Sequence, residues 1–215
     1  AFFGSLALSL SLLFSVATAS AQPPPPPGPR AIPAGAVSDV GVFYDQLAPY
    51  GEWINLPPYG WVWSPYDMPY DWRPYQDGHW VWTEAGWTWI SDEPFGWAVY
   101  HYGRWQYDPQ YSWVWIPATT WGPAWVAWRE GDGWIGWAPL PPDDSIHLGV
   151  RIGGFNFHLD SIKRFHWCFV ETPRFCETRL RPYVVRSVRN VNIYDRTRNV
   201  THYTVVNNTI VNQRE

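Results

Sequence analysis

The segment GHWVWTEAGWTWISD, residues 78–92, contains the pattern that decides the fold. It has two arms with Trp at alternate positions, and Glu-Ala-Gly separates them. Side chains two apart in a strand share a face, so each arm places its indoles on one side of a sheet. A short link that contains Gly favours a tight turn between two strands. The segment therefore predicts a β-hairpin.

Three further segments repeat this arrangement, at residues 51–65, 103–117 and 124–139. Trp72, Trp97 and Trp121 mark the links between them at spacings of 25 and 24, so the repeat unit has about 25 residues. This length suits a hairpin with a return connection better than a pair of helices.

The four segments predict at least three successive antiparallel hairpins, with turns near residues 56–59, 83–86, 107–111 and 130–133. In the last segment Trp134 and Trp137 are three apart instead of two. We expect a β-bulge at Gly136, where one extra residue would return both indoles to the same face.

The composition supports an all-β fold. The 215 residues include 18 Trp, 22 Pro and 17 Gly, and this density of helix breakers favours short strands joined by turns. We expect the antiparallel hairpins to form a meander sheet or a small barrel or sandwich, followed by a smaller β-rich C-terminal region. Trp replaces much of the aliphatic core, since each buried indole removes about 200 Å² from water.

Four regions follow from the sequence pattern. Residues 1–21 form an apolar run that ends in Ala-Ser-Ala, which is typical of a cleaved secretory signal peptide. Residues 22–36 are a Pro-rich linker, residues 37–142 the Trp-rich repeat domain, and residues 143–215 a basic C-terminal region. We expect a periplasmic or extracellular protein with no transmembrane span after cleavage.

Charge divides the chain near the same boundary. Residues 37–147 hold 14 acidic and 3 basic side chains, a formal charge of −11, whereas residues 148–215 hold 5 acidic and 11 basic ones, a formal charge of +6. The whole chain has a formal charge of −4, which disfavours nucleic acid as a partner. The opposite charges could dock the two regions or leave the basic region free for an anionic surface.

The Trp-rich region contains four distinctive motifs: Tyr50-Gly51-Glu52-Trp53, Trp72-Arg73-Pro74-Tyr75, His101-Tyr102-Gly103-Arg104-Trp105 and Gly136-Trp137-Ala138-Pro139-Leu140-Pro141-Pro142. Together they resemble an uncharacterised family of exported bacterial Trp-rich repeat proteins. The resemblance covers about residues 40–142. It implies a periplasmic or surface location, and it implies no catalytic residue because the family has no assigned activity.

The sequence offers binding candidates but no catalytic set. The six His show no zinc-hydrolase spacing, and no nucleophile elbow or phosphate-binding Gly loop is present. Indole faces stack on sugar rings, and polar side chains beside them supply hydrogen bonds. The candidate ligand-binding residues are Trp87, Trp89, Trp113, Trp115, His79, His101 and Arg104.

Arg104 has a second, structural interpretation. It is one of only three basic side chains in the acidic region, and it lies among aromatic residues. A guanidinium can stack on an indole and also reach a carboxylate. We expect Arg104 to bridge neighbouring repeats by stacking on a Trp or Tyr and pairing with an acidic turn residue, with a role as ligand anchor as the alternative.

Cys168 and Cys176 are the only cysteines, and export favours a disulfide between them. A zinc site that also uses His166 is the alternative, although the spacing matches no common zinc motif. We expect no metal and no cofactor.

These observations predict a non-enzymatic exported protein of the bacterial envelope. Its aromatic surfaces would bind an envelope polysaccharide or an envelope protein. A structural protein that assembles with copies of itself is one alternative, and a glycan hydrolase is another.

Overall fold

The computed structural model describes residues 37–142, 162–206 and 209–214. The expected signal peptide and Pro-rich linker lie outside these residues. The described chain is mostly strand, and the few helices are short.

Twelve strands and three α-helices make up the regular structure of the described residues. The strands are β1 Gly51–Leu56, β2 Gly60–Pro65, β3 Gly78–Thr83, β4 Gly86–Ser91, β5 Arg104–Asp108, β6 Ser112–Ile116, β7 Val126–Gly131, β8 Trp134–Pro139, β9 Cys168–Glu171, β10 Arg198–Asn199, β11 Thr201–Val206 and β12 Thr209–Arg214. The α-helices are α1 Gly41–Leu47, α2 Gly96–Val99 and α3 Asn190–Tyr194. Single 3₁₀ turns follow α1 and interrupt the C-terminal region, at Ala48–Tyr50, Arg164–His166, Thr172–Arg174, Arg181–Tyr183 and Ser187–Arg189.

The four predicted hairpins are confirmed. β1 and β2, β3 and β4, β5 and β6, and β7 and β8 pair antiparallel, with turns at residues 57–59, 84–85, 109–111 and 132–133. Each hairpin places two aromatic residues directly opposite each other, as Trp80 and Trp89 do with ring centroids 5.0 Å apart. Such cross-strand pairs stabilise the hairpin beyond the burial of their area.

The hairpins are distributed over three four-stranded sheets. The first sheet joins two repeats in the order β1-β2-β6-β5, and the others have the orders β10-β7-β8-β9 and β11-β12-β4-β3. The all-β prediction is confirmed, while the described strands form neither a single meander nor a closed barrel.

The C-terminal region docks on the repeats by adding strands to their sheets. β9 pairs with β8, β10 pairs with β7, and β12 lies parallel to β4. Gly86 permits the last contact, because a Cβ at this position would lie 2.1 Å from the carbonyl oxygen of Asn212. The charge pattern left open whether the two regions dock, and the backbone pairing shows that they do.

All three sheets direct indoles into one shared core. The first sheet contributes Trp63, Trp105 and Trp115, and the other two contribute Trp80, Trp89, Trp128 and Trp137, all fully or almost fully buried. A second, smaller core lies on the opposite face of β7 and β8 and contains Trp125, Trp167 and Phe169. Most of the Trp content is thus structural.

The indole N–H groups fix the links between the hairpins. Trp63 donates to the carbonyl of Leu47 at 3.1 Å, and Trp105 donates to that of Val99 at 3.0 Å. Trp115, Trp125 and Trp137 bond in the same way to links outside their own strands. A buried carbonyl needs a donor, which an aliphatic core residue cannot supply. This explains why Trp suits a core surrounded by irregular links.

The expected bulge at Gly136 is wrong. β7 and β8 keep an unbroken register in which Arg129 faces Gly136 and Trp128 faces Trp137. Trp134 and Trp137 therefore lie on opposite faces of the sheet and pack against different cores. Gly136 is required for a different reason, since a Cβ there would lie 2.2 Å from the Phe169 ring.

The predicted disulfide is also wrong, because Cys168 and Cys176 are free thiols. Cys168 is fully buried at the start of β9, whereas Cys176 is exposed beyond the following 3₁₀ turn.

Candidate functional site

Three of the four candidate indoles are buried. Trp89, Trp113 and Trp115 are at most 5% exposed, and Trp87 is half-buried against Phe175. Trp87 and Trp89 lie on β4, whereas the other two lie on β6 in a different sheet. The structure therefore does not bring the four together, and the buried ones present no ring face to a ligand in solution.

The polar candidates are dispersed as well. His79 lies on β3, and His101 follows α2, where its Nδ1 donates to the carbonyl of Gly122 at 3.0 Å. Burial lowers the pKa of His101, so its imidazole is neutral at pH 7. It is stacked on Trp121 at 5.6 Å, which makes it part of the packing between repeats.

Arg104 is buried and has the predicted stacked geometry. Its Cζ lies 3.4 Å from the ring centroid of Trp125, which belongs to the next repeat, and its Nη1 donates to the carbonyl of Gly103. Stacking between repeats is confirmed, and pairing with an acidic turn residue stays a prediction. At 4% exposure Arg104 is not accessible as a ligand anchor.

The most exposed aromatic side chains are ones that the sequence analysis did not select. Trp82 is 61% exposed and Trp61 is 51% exposed, each close to a hairpin turn. Tyr66 is 49% exposed and Tyr70 fully so, in the link between β2 and β3. Their position next to turns could have predicted this exposure from the sequence, because residues at the tip of a hairpin extend beyond the sheets that cover its base.

One cavity combines exposed aromatic rings with charged groups. We call it the acidic–aromatic cleft, and its volume is about 400 Å³. It is lined by Tyr50, Tyr66, Asp67, Met68, Pro69, Trp72, Asp77, Glu93, Pro94, Phe95 and Arg181. This volume lies within the range of roughly 300–1,000 Å³ that is usual for small-ligand sites.

Links between elements form most of this cleft. Tyr50 ends the 3₁₀ turn before β1, and Tyr66 follows β2, where its backbone N–H donates to the carbonyl of Tyr50 at 2.9 Å. Asp77 precedes β3, and Glu93 follows β4. The hydrogen bond from the Asp92 N–H to the Asp77 carbonyl, at 3.0 Å, closes the base of that hairpin and holds both acids on one side.

Glu93 is the most strongly constrained group in the cleft. Its Oε1 accepts the indole N–H of Trp72 at 2.9 Å, and its Oε2 accepts the hydroxyls of Tyr100 and, at 3.4 Å, Ser91. Burial raises the pKa of Glu93 to about 7, although these hydrogen bonds oppose the rise. Near neutral pH a substantial fraction of Glu93 therefore carries a proton.

A surface ion pair joins the C-terminal region to this cleft. Arg181, in a C-terminal 3₁₀ turn, places its Nη1 2.7 Å from Oδ2 of Asp77. The backbone supports this contact, since the N–H of Leu180 donates to the carbonyl of Gly78 at 3.0 Å. Among the described residues, the C-terminal region thus supplies the one basic side chain that lines the cleft.

The described residues provide no evidence of a metal or of a membrane-spanning helix. In residues 37–142, 162–206 and 209–214, no three His, Cys, Asp or Glu side chains come together in a way that could hold a metal ion. No helix within those same ranges is long and apolar enough to cross a membrane.

Comparison with known proteins finds a match to a family model over part of the chain. Neither a curated protein nor a solved structure matches the chain. All residues that line the acidic–aromatic cleft, except Arg181, lie within the segment that matches the family model. Residues 44–144, which include all four hairpins, match the model of a family of unknown function, DUF6600.

Proposed function

We propose that the protein is a non-catalytic saccharide-binding module of the bacterial envelope and that the acidic–aromatic cleft is its binding site. The observation that carries this proposal is the combination in one cleft of an exposed tyrosine ring with three carboxyl groups and a guanidinium. The apolar face of a sugar packs on aromatic rings, while its hydroxyls need both donors and acceptors.

The lining residues meet these two needs separately. Tyr66 is half-exposed and provides the accessible ring, while Trp72 and Phe95 are buried and form the floor. Asp77 and Glu93 supply acceptors for sugar hydroxyls, and Arg181 supplies donors. Glu93 is held by hydrogen bonds before any ligand arrives, which lowers the entropic cost of binding.

The envelope location rests on the sequence of residues 1–36. An apolar segment with a cleavage pattern would export the module, and the Pro-rich linker after it would act as a stiff spacer. An envelope polysaccharide is then the partner that a secreted saccharide-binding protein would encounter first.

Isothermal titration calorimetry with oligosaccharides of N-acetylglucosamine and of galactose tests the proposal. Tyr66→Ala should weaken binding about tenfold, or 1.4 kcal/mol, because it removes the exposed ring. Tyr70→Ala is the matched control, since Tyr70 is an exposed tyrosine in the same link that does not line the cleft. Equal affinities for the two variants would contradict the proposal.

A glycan hydrolase is the second candidate, because Glu93 has the raised pKa that a general acid requires. Release of reducing ends from the same oligosaccharides, lost in Glu93→Gln, would favour catalysis. Binding without release would support the module.

Self-assembly is the third candidate, and the exposed ring of Trp82 favours it. Analytical ultracentrifugation distinguishes this case. An oligomer that dissociates in Trp82→Ser would assign the exposed indole to contacts between copies of the chain.

A further inference from the structure

A second cavity on the C-terminal side has a different chemistry. We call it the arginine cleft. Its volume is about 510 Å³, and it is lined by Trp134, Glu171, Arg174, Tyr183, Val184, Val185, Arg186 and Arg189. Three guanidinium groups and one carboxylate give its lining a positive charge.

Local structure brings the arginines to one side. Arg186 lies in extended backbone just before the 3₁₀ turn Ser187–Arg189, and the N–H of Arg189, which ends the turn, donates to the carbonyl of Arg186 at 2.9 Å. Both side chains line the cleft. Arg174 comes from another 3₁₀ turn and lies over the Tyr183 ring, with its Cζ 4.9 Å from the centroid.

Two of these arginines have no carboxylate partner within the described chain. The ion pairs found there join Arg164, Arg174, Arg181 and Arg196 to acidic side chains, and neither Arg186 nor Arg189 is among them. The pair of Arg174 with Glu177 is exposed, so water and salt weaken it. The cleft therefore keeps an uncompensated positive charge.

The aromatic walls add a second requirement for the ligand. Trp134, at the start of β8, is half-buried against the smaller core, and Tyr183 is 38% exposed. Planar guanidinium groups bind carboxylate and phosphate oxygens in pairs, while aromatic rings pack on the faces of sugar rings.

We infer that the arginine cleft binds an acidic saccharide, a chain of sugar rings that bear carboxylate or phosphate groups. The formal charge of −4 on the whole chain disfavours long-range attraction to a polyanion such as nucleic acid. The concave shape favours a discrete chain over a flat lipid surface. The site is separate from the acidic–aromatic cleft, although the 3₁₀ turn Arg181–Tyr183 contributes one residue to each.

Calorimetry with trigalacturonic acid and with its methyl ester tests the inference, because the two probes share the same sugar rings and esterification removes the negative charges. The acid should bind at least about tenfold more tightly than the ester at low salt, and its affinity should fall as ionic strength rises. The double variant R186Q/R189Q should weaken binding of the acid about tenfold or more. The double variant R196Q/R198Q is the matched control, with the same loss of charge near the opposite edge of the same sheet, and should change affinity less than twofold.

Four results would overturn the inference. Two concern the saccharide: equal affinities for the acid and the ester, or equal losses of affinity in the two double variants. Two concern other anions: inorganic phosphate that binds as tightly as the trisaccharide, or phosphatidylglycerol vesicles or oligo-dT that bind more tightly through the same arginines. Tyr66→Ala separates the two clefts, since it should leave trigalacturonic acid binding unchanged even where it abolishes binding of neutral saccharides.

Discussion

Replacement of Glu93 by Gln should change how stability depends on pH. The pKa of Glu93 is about 7 in the folded protein and 4.5 when the chain is unfolded. Between these values the folded state binds more protons than the unfolded state, so its stability is complete below pH 4.5 and falls as pH rises towards 7. A shift of this size corresponds to about 3 kcal/mol by pH 8.

Glutamine reproduces the protonated form of this side chain. Its amide oxygen can accept the Trp72 indole N–H, and its amide nitrogen can donate to the Tyr100 hydroxyl that the carboxylate now accepts. Glu93→Gln should therefore match the parent at pH 4 and exceed it by about 3 kcal/mol at pH 8. For a protein of this size that difference is about 6 to 12 °C in Tm.

Thermal unfolding followed by near-ultraviolet circular dichroism, from pH 4 to pH 8.5, measures this difference. Because every other titrating group is common to both proteins, the difference between parent and variant isolates Glu93. Glu84→Gln is the control, since Glu84 is exposed in a hairpin turn and should give a small difference at every pH. A difference for Glu93→Gln that stays constant across the pH range would refute the reasoning.

Three further predictions concern the core and the thiols. Arg104→Lys keeps the charge but loses the planar stack on Trp125, so we expect a loss of about 2 kcal/mol in chemical denaturation, and an unchanged midpoint would contradict the bridging role. Gly136→Ala places a methyl group 2.2 Å from a carbon of the Phe169 ring and should lower the free energy of unfolding by about 1–3 kcal/mol in the same assay. An unchanged free energy of unfolding would show that the two strands can separate. Cys176 should react with a thiol reagent in the native protein. Cys168 should react only after unfolding, because burial hides the thiol and raises its pKa. If neither cysteine reacts in denatured, unreduced protein, the two are joined by a disulfide after all.

The hairpins could be predicted because their signal is local. Alternating Trp and the turn residues act within about fifteen residues, and both the strands and the turns follow from them. The pairing of hairpins is not local. The cross-strand contact of Trp63 with Trp115, which joins the first and third repeats, depends on how whole hairpins pack.

The candidate site shows the same limit. The alternation of Trp along each strand assigned the indoles to faces of the sheet but could not show which face another sheet would cover. Trp89 and Trp115 were therefore predicted as ligand-binding residues, although both are buried. The acidic–aromatic cleft was missed because Glu93 and Arg181 belong to different regions of the chain. Their proximity follows only from the docking of the C-terminal segment beside β3.

Two of the three arginines of the acidic region contribute to that docking. Arg73 is buried and donates to the carbonyls of Trp167 and Val185, at 2.7 and 2.9 Å. Arg129 donates to the carbonyls of Tyr194 and Thr197. Both guanidinium groups contact the C-terminal region through backbone carbonyl oxygens, so these contacts do not depend on the opposite formal charges of the two regions. Among the C-terminal arginines, Arg181 and Arg196 pair with Asp77 and Asp132 of the acidic region, whereas Arg186 and Arg189 form no ion pair within the described residues and line the arginine cleft. The division of charge is therefore only partly neutralised by docking, since one cleft keeps three carboxyl groups beside one guanidinium and the other keeps three guanidinium groups beside one carboxyl group.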